Sequence, residues 1–180
     1  MAMELSERAK RAFTIQDYSP KPQIAGVEVV ELRRFADESG SMTELGRFAE
    51  GILGAFPGFT LRQVNYSEIE PGAIKAFHLH RTQTDIWYVP PEDKLLLVLI
   101  DVRAGSPTEE MKARLVLGDG ASRLVRISPG VAHGYKNLAQ ARGRVIYFTD
   151  AQFSPDPELC DEGRLPWDYA GHDVWELPRG

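Results

Sequence analysis

Short runs rich in Val, Ile, Leu and aromatic residues recur along the 180 residues. This recurrence constrains the fold more than any other feature. The runs are 27–34 (VEVVELRR), 60–67 (TLRQVNYS), 73–80, 85–89, 94–102 (KLLLVLIDV), 112–117, 123–127 and 144–150 (RVIYFTD). Gly- and Pro-bearing stretches separate them: FPG, EPG, VPPED, AGSP, LGDG, SPG and QARG. Each supplies the dihedral freedom or fixed φ that a turn requires. Many short strands between such turns predict a β-sandwich or barrel. VEVVELR and TLRQVNYS alternate as half-buried strands do, whereas LLLVLI does not alternate and is expected to be buried on both faces. Residues 42–54 (MTELGRFAEGILG) are expected to form one internal helix, with Leu45, Phe48, Ile52 and Leu53 on one side. Residues 4–16 are expected to be a short helix or an arm. Residues 154–180 should lie over the domain without adding strands. No internal repeat or interdomain linker is visible, so the expected division is an arm over 1–26, one β domain over 27–153 and a tail over 154–180.

A net charge of −5 gives no basic field to gather nucleic acid or an anionic membrane. A single cysteine, Cys160, excludes an intrachain disulfide and fits a reducing compartment. The first ten residues are charged and lack an apolar signal core. The run Leu95–Ile100 is far too short to span a bilayer. A cytoplasmic protein is expected, free of nucleic-acid and membrane partners.

Two of the four histidines, His78 and His80, sit one residue apart in a strand-like run. Strand side chains alternate, so both point to one face, separated by two rises of about 3.3 Å. They can reach one ion or one small substrate; a polar pair facing water is the plainer alternative. The pattern Gly72–x5–His78–x–His80–x4–Asp85 resembles the first motif of the cupin superfamily. Gly130–x2–His133–x3–Asn137 resembles the second. The resemblance implies an all-β fold, the double-stranded β-helix or jelly-roll barrel, with these residues in its mouth.

A closer resemblance covers nearly the whole chain. It rests on Phe35-Ala-Asp37-Glu38-Ser39-Gly40-Ser-Met-Thr-Glu44, on Leu61-Arg-Gln63-Val-Asn65-Tyr-Ser67, and on Ile74-Lys75-Ala76-Phe77-His78-Leu79-His80. DVRAGSPT, RLVRISPGVAHGY and VIYFTDAQFSP follow in order. These segments resemble the dTDP-4-dehydrorhamnose 3,5-epimerase family, a cupin branch that works without metal. The resemblance implies an isomerase acting on a 4-keto-6-deoxy nucleotide sugar, with no cofactor. It implies catalytic roles for His78 as base, Tyr147 as acid and Asp168 as the carboxylate that orients the base, with Tyr169 as the other option one residue on. It also implies substrate contacts from Gln63, Asn65, Lys75, His133 and Glu44, and a homodimer that the N-terminal segment helps to join. Protons next to a ketone are acidic, and a base of near-neutral pKa is suited to removing them.

The departures from the family are chemically pointed. Ser39 and Lys75 stand where it has arginines, His80 where it has glutamine, Phe153 where it has a second tyrosine. Asp85 replaces a lysine near the sugar carbonyl. At about 4 Å and an effective dielectric of about 20, that carboxylate opposes an enolate by about 4 kcal/mol. A divalent transition metal on His78, His80, Asp85 and His133 would restore positive charge; the plainer alternative pairs Asp85 with Arg81 or Lys75. Besides the epimerase, two further functions fit. One is a metal-dependent cupin (isomerase, lyase or dioxygenase) acting on a small polar substrate. The other is a non-catalytic sugar-nucleotide-binding cupin.

Overall fold

The computed structural model describes residues 3–19 and 22–177. In chain order the elements are α1 (Glu7–Ala12), β1 (Glu28–Glu31), β2 (Arg34–Asp37), β3 (Gly40–Thr43), β4 (Phe48–Ala49), β5 (Ile52–Leu53), β6 (Gln63–Ile69), β7 (Ile74–Leu79), β8 (Asp85–Tyr88) and β9 (Lys94–Asp101). β10 (Lys112–Gly118), β11 (Arg123–Ile127), β12 (Val131–Asn137), β13 (Gly143–Thr149), β14 (Gly163–Arg164) and a 3-10 helix over His172–Trp175 complete them. Two five-stranded antiparallel sheets, ordered β1-β11-β8-β13-β6 and β10-β9-β12-β7-β14, face each other. From β10 to β13 the chain crosses between them strand by strand, which is the jelly-roll winding expected from the sequence.

The LLLVLI run shows why this sheet pair is stable. Leu95, Leu97 and Leu99 of β9 point inward, against Trp87, Val125, Val131, Tyr135 and Val145. The alternate residues Leu96, Val98 and Ile100 point outward and are covered by Ala170, Val174 and Trp175 of the C-terminal tail. The Trp175 indole donates to the Trp167 carbonyl at 2.9 Å, which fixes that cover. The other sheet is covered in the same way: Ile86, Tyr88, Leu124 and Phe148 lie under Leu53, Phe56 and Phe59. Strands buried on both faces therefore read as continuous apolar runs.

The segment 42–54 is β, not helix. It holds the end of β3 and the β4–β5 hairpin, in which Phe48 pairs with Leu53 and Ala49 with Ile52. Glu50 and Gly51 make the two-residue turn, both with positive φ (51° and 82°), a form that Gly favours and that suits tight hairpins. Three glycines at 46, 51 and 54 cost a helix about 1 kcal/mol each. The buried Leu53 is satisfied equally well by an extended chain. The tail also departs from expectation, because β14 adds a short strand to β7. Leu165 extends it through paired 3.0 Å backbone bonds with Phe77. α1 starts on the Ser6 hydroxyl, which accepts from the Ala9 amide, and it buries no residue.

Candidate active site

A cavity of about 720 Å³ opens between the two sheets. β6, β8 and β13 supply Gln63, Asn65, Asp85, Trp87 and Tyr147 from one wall. β7, β12 and β14 supply Lys75, His78, His133, Tyr135 and Arg164 from the other. Strand alternation alone would send Lys75 and His78 to opposite faces. A bulge brings both inward: His133 pairs with His78 and Tyr135 with Lys75, so two steps on β12 oppose three on β7. Gly134 lies opposite the bulge. A Cβ there would stand 2.4 Å from the Ala76 Cβ and 2.8 Å from its Cα, so no larger residue fits.

The floor of the cavity is polar and almost fully buried. Asp85, His133 and Trp87 are each under 5 % exposed, and His80 is buried beside them. Asp85 accepts from Gln83 Nε2 at 2.7 Å and from the Trp87 indole at 3.0 Å. Burial pushes its carboxyl up, but the His133 contact, the charges of His133 and His80 and the Trp87 bond outweigh this and bring it down to about 2. His133 Nδ1 meets the Val131 carbonyl at 3.0 Å and His80 Nδ1 meets the Asp161 carbonyl at 2.9 Å. Each Nδ1 must carry a proton to make its bond, which leaves Nε2 of each ring as the atom turned toward Asp85. Those Nε2 atoms lie 3.5 Å (His133) and 3.9 Å (His80) from Asp85 Oδ2. Among the described residues, His133 Nε2 is buried with no hydrogen-bond partner.

The rim is more open and carries the proton-transfer candidates. Arg164 Nη1 donates to His78 Nε2 at 3.0 Å, and Glu162 Oε1 lies 3.3 Å from His78 Nδ1. Arg164 also donates to Glu162 at 2.7 Å. Burial, followed by the charges of His133, Arg164 and His80, lowers His78 to about 3, so its ring is neutral at physiological pH. Tyr147 faces the cavity from the opposite sheet, and burial, then the Asp85 charge, raises its hydroxyl above the ordinary value. It therefore keeps its proton. Gln63 and Asn65 are joined at 2.8 Å. Lys75 donates to the Ser67 hydroxyl at 3.0 Å and to the Glu68 carbonyl at 2.6 Å.

His78, Tyr147, Gln63, Asn65, Lys75 and His133 thus meet in one cavity, and two expected residues do not. Asp168 lies outside the cavity lining and 3.9 Å from His172. It occupies a turn in which its carbonyl accepts from the Gly171 amide. The carboxylate beside His78 is Glu162 instead, because β14 runs along β7 with Arg164 opposite His78. Glu44 pairs with Arg47 at 2.8 Å, also outside the lining. It follows the β2–β3 hairpin, which is exposed along nearly its whole length. The expected metal set is reduced as well. His80, Asp85 and His133 offer ligand atoms within 4.8 Å of one another, but His78 is held by Arg164 and Glu162. Asp85 bonds Gln83 and Trp87 rather than Arg81 or Lys75.

Glu162, Arg164 and Asp161 were not singled out from the sequence. Asp161 accepts from the amides of Arg81, Thr82 and Gln83, fixing the tail beside His78. The signal was the charged cluster Asp161-Glu162-Gly163-Arg164 ahead of an apolar LPW. Nothing local in it specifies a pairing with β7.

A jelly-roll whose mouth holds an imidazole and a phenol on facing walls is a cupin fold. The family model for dTDP-4-dehydrorhamnose 3,5-epimerase matches residues 21–168, and the chain belongs to that family. It is 38% identical over 145 residues to the spore coat polysaccharide biosynthesis protein SpsL of Bacillus subtilis, covering 81% of this chain and 91% of that one. It is 28% identical to the probable low-salt glycan biosynthesis epimerase of Haloferax volcanii, over 82% of this chain and 90% of that one. A dTDP sugar isomerase from Desulfovibrio desulfuricans superposes with a TM-score of 0.70 at 28% identity, covering 82% of this chain and 88% of that one. The Legionella pneumophila epimerase in complex with dTDP-4-keto-L-rhamnose gives 0.68 at 25% identity, covering 81% and 76%.

Proposed function

We propose that the chain inverts a carbon next to the ketone of a 4-keto-6-deoxy nucleotide sugar. The observation that carries this is the placement of His78 and Tyr147 on facing sheets of one cavity. His78, a neutral imidazole on the cavity wall, takes a proton from one face of the sugar. Tyr147, kept protonated by burial, returns one to the other face. Gln63, Asn65 and Lys75 offer polar contacts along the same cavity. Incubation with dTDP-4-keto-6-deoxyglucose in deuterium oxide should place deuterium next to the ketone and yield the inverted sugar. A substrate recovered without deuterium or inversion overturns the proposal.

The family's chemistry calls for no cofactor. A second reading is supported by the His133 Nε2, which has no hydrogen-bond partner among the described residues, and by the convergence of His80, Asp85 and His133 on the floor. Two imidazoles and a carboxylate, with both rings fixed through Nδ1, fit a divalent transition metal. His80, Asp85 and His133 would hold it, and when bound it would supply a Lewis acid for the carbonyl oxygen. His78 stays the base in both readings. Metal analysis of protein purified without a histidine tag separates them.

The protein is further proposed to act in the cytoplasm as a homodimer. No helix among the described residues is long and apolar enough to cross a membrane. Phe13, Ile15 and Tyr18 of the arm and Val64 and Tyr66 of the edge strand β6 are exposed, which supports burial against a second copy. A monomeric mass in light scattering at micromolar concentration overturns this.

A further inference from the structure

The cavity lining carries three carboxylates, Asp85, Asp161 and Glu162, and two permanent side-chain cations, Lys75 and Arg164. Proton removal next to a ketone puts negative charge on the carbonyl oxygen, and such charge requires a positioned donor. Lys75 is engaged by Ser67 and Glu68 of β6. Asp85 has the wrong sign. Arg164 touches the base itself, 3.0 Å from His78 Nε2. Its place is set by the backbone, because it is paired directly with His78 across the β14–β7 ladder and directly opposed residues present neighbouring side chains. Asp161 and Leu165 anchor this strand on either side. Yet the Arg164 side chain is 56 % exposed, which leaves the guanidinium room to turn.

The geometry points to Arg164 as the oxyanion-holding residue of the epimerase reaction, a catalytic cation delivered by the C-terminal tail that covers the base until substrate arrives. This rests on the epimerase reading above. In the free protein the guanidinium occupies the Nε2 lone pair of His78. A carbonyl oxygen is two bonds from the carbon that loses its proton, so a donor touching the base is within reach of that oxygen. On binding, Arg164 moves from Nε2 to the oxygen, and the lone pair is released as the oxyanion site is formed. His78 then takes the proton, the C–H electron pair becomes the C=C bond of the enolate, and the carbonyl π pair moves onto the oxygen held by Arg164. The carbonyl re-forms as Tyr147 protonates the carbon from the opposite wall. The imidazolium and the phenolate regain their starting states by proton exchange with water. The fixed planar fork of arginine suits this role better than a flexible ammonium.

The full chain and its Arg164→Gln and Arg164→Lys variants test this in two measurements. In turnover of dTDP-4-keto-6-deoxyglucose, Arg164→Gln should lose about 10²–10³ in kcat with KM changed only a few-fold. Arg164→Lys should recover part of the loss. A kcat within about three-fold of wild type overturns the assignment, since a lost oxyanion donor costs far more. A rise confined to KM also overturns it, placing Arg164 on the nucleotide diphosphate. In substrate-free protein, acylation of His78 by diethyl pyrocarbonate, read by peptide mass, should be faster in Arg164→Gln than in wild type. An unchanged rate overturns the covering role. If the wild type exchanges no deuterium, the epimerase reading and the oxyanion role fall together. The acylation rate, which needs no substrate, still decides whether Arg164 covers the base.

Discussion

The floor and the rim of the cavity are built from the same residue types and behave oppositely. On the floor, His80, Asp85 and His133 are buried and held by backbone carbonyls, an indole and an amide. On the rim, His78, Glu162 and Arg164 are partly exposed and hold mainly one another. A histidine locked through Nδ1 to a carbonyl serves as a fixed electrostatic wall or a ligand. A histidine whose Nε2 is met by an exposed guanidinium can take a proton once that contact is released. The difference is that the two histidines of the HLH stretch stand in separate environments, although strand alternation sends both to one face, and the proposed mechanism gives them separate work.

The sharpest break in that comparison is expected at the base. His78→Ala should reduce deuterium exchange into the sugar by about 10²–10⁴ while leaving the melting temperature near wild type, because the ring is partly exposed and on the rim. Wild-type exchange in this variant would remove His78 from the mechanism. Tyr147→Phe comes next. Inversion should fall by about 10² or more, while exchange persists by reprotonation from the His78 side. Because burial raises the Tyr147 pKa, the wild-type alkaline limb of inversion should lie above the ordinary tyrosine value of about 10. An alkaline limb near pH 8 would assign the acid to another group.

Asp85→Asn sharpens the comparison from the floor side. The change keeps shape, removes the charge, and weakens the charge-assisted bonds from Trp87 and Gln83, each worth about 1.5–3 kcal/mol. A net destabilisation of about 2 kcal/mol in urea titration is therefore expected. If a metal is bound, its content should fall together with the melting temperature, because an ion held only by the folded state stabilises it by mass action. Unchanged stability and unchanged metal content would show that the floor carboxylate is neither a structural acceptor nor a ligand.

What was legible in the sequence follows the distance over which each feature is determined. LLLVLI announced a strand buried on both faces because neighbouring residues alternate between two cores, Leu97 in one and Val98 in the other. The motifs around His78 and His133 placed both in one barrel mouth through their resemblance to the two cupin motifs, Gly72–x5–His78–x–His80 and Gly130–x2–His133–x3–Asn137. Segment 42–54 was misleading: Leu45, Phe48, Ile52 and Leu53 satisfy a helical spacing, and only the cost of Gly46, Gly51 and Gly54 argued against it. β12 was absent from the strand runs because Gly134 interrupts it, and that glycine is required by a bulge on a different strand. The tail pairing of Arg164 with His78 spans 86 residues and leaves no periodic trace. This is why Asp168 was expected where Glu162 stands.

That substitution of one carboxylate for another gives the smallest effect and the most discriminating pair of variants. Glu162 Oε1 lies 3.3 Å from the Nδ1 of the base and 2.7 Å from Arg164, so it can hold both in place. Glu162→Gln keeps the shape and an acceptor oxygen but removes the charge. It should lower kcat by about ten-fold, at the weak end of what positioning interactions carry, since His78 and Arg164 remain. Asp168 stands 3.9 Å from an exposed His172, a surface pair worth about 1 kcal/mol at most. Asp168→Asn should therefore leave kcat within about two-fold of wild type and stability within about 1 kcal/mol. Side-by-side turnover of the two variants decides between the carboxylates. A ten-fold loss in Asp168→Asn with wild-type rate in Glu162→Gln would mean that the tail rearranges when substrate binds. The 161–164 segment, now tied to the loop over 81–83 by Asp161, would then have to release its hold to bring residue 168 to the base. That outcome would also withdraw Arg164 from the base, since residues 162 and 164 share one two-residue strand and its flank. The smallest predicted effects therefore test the same backbone pairing on which the proposed role of Arg164 depends.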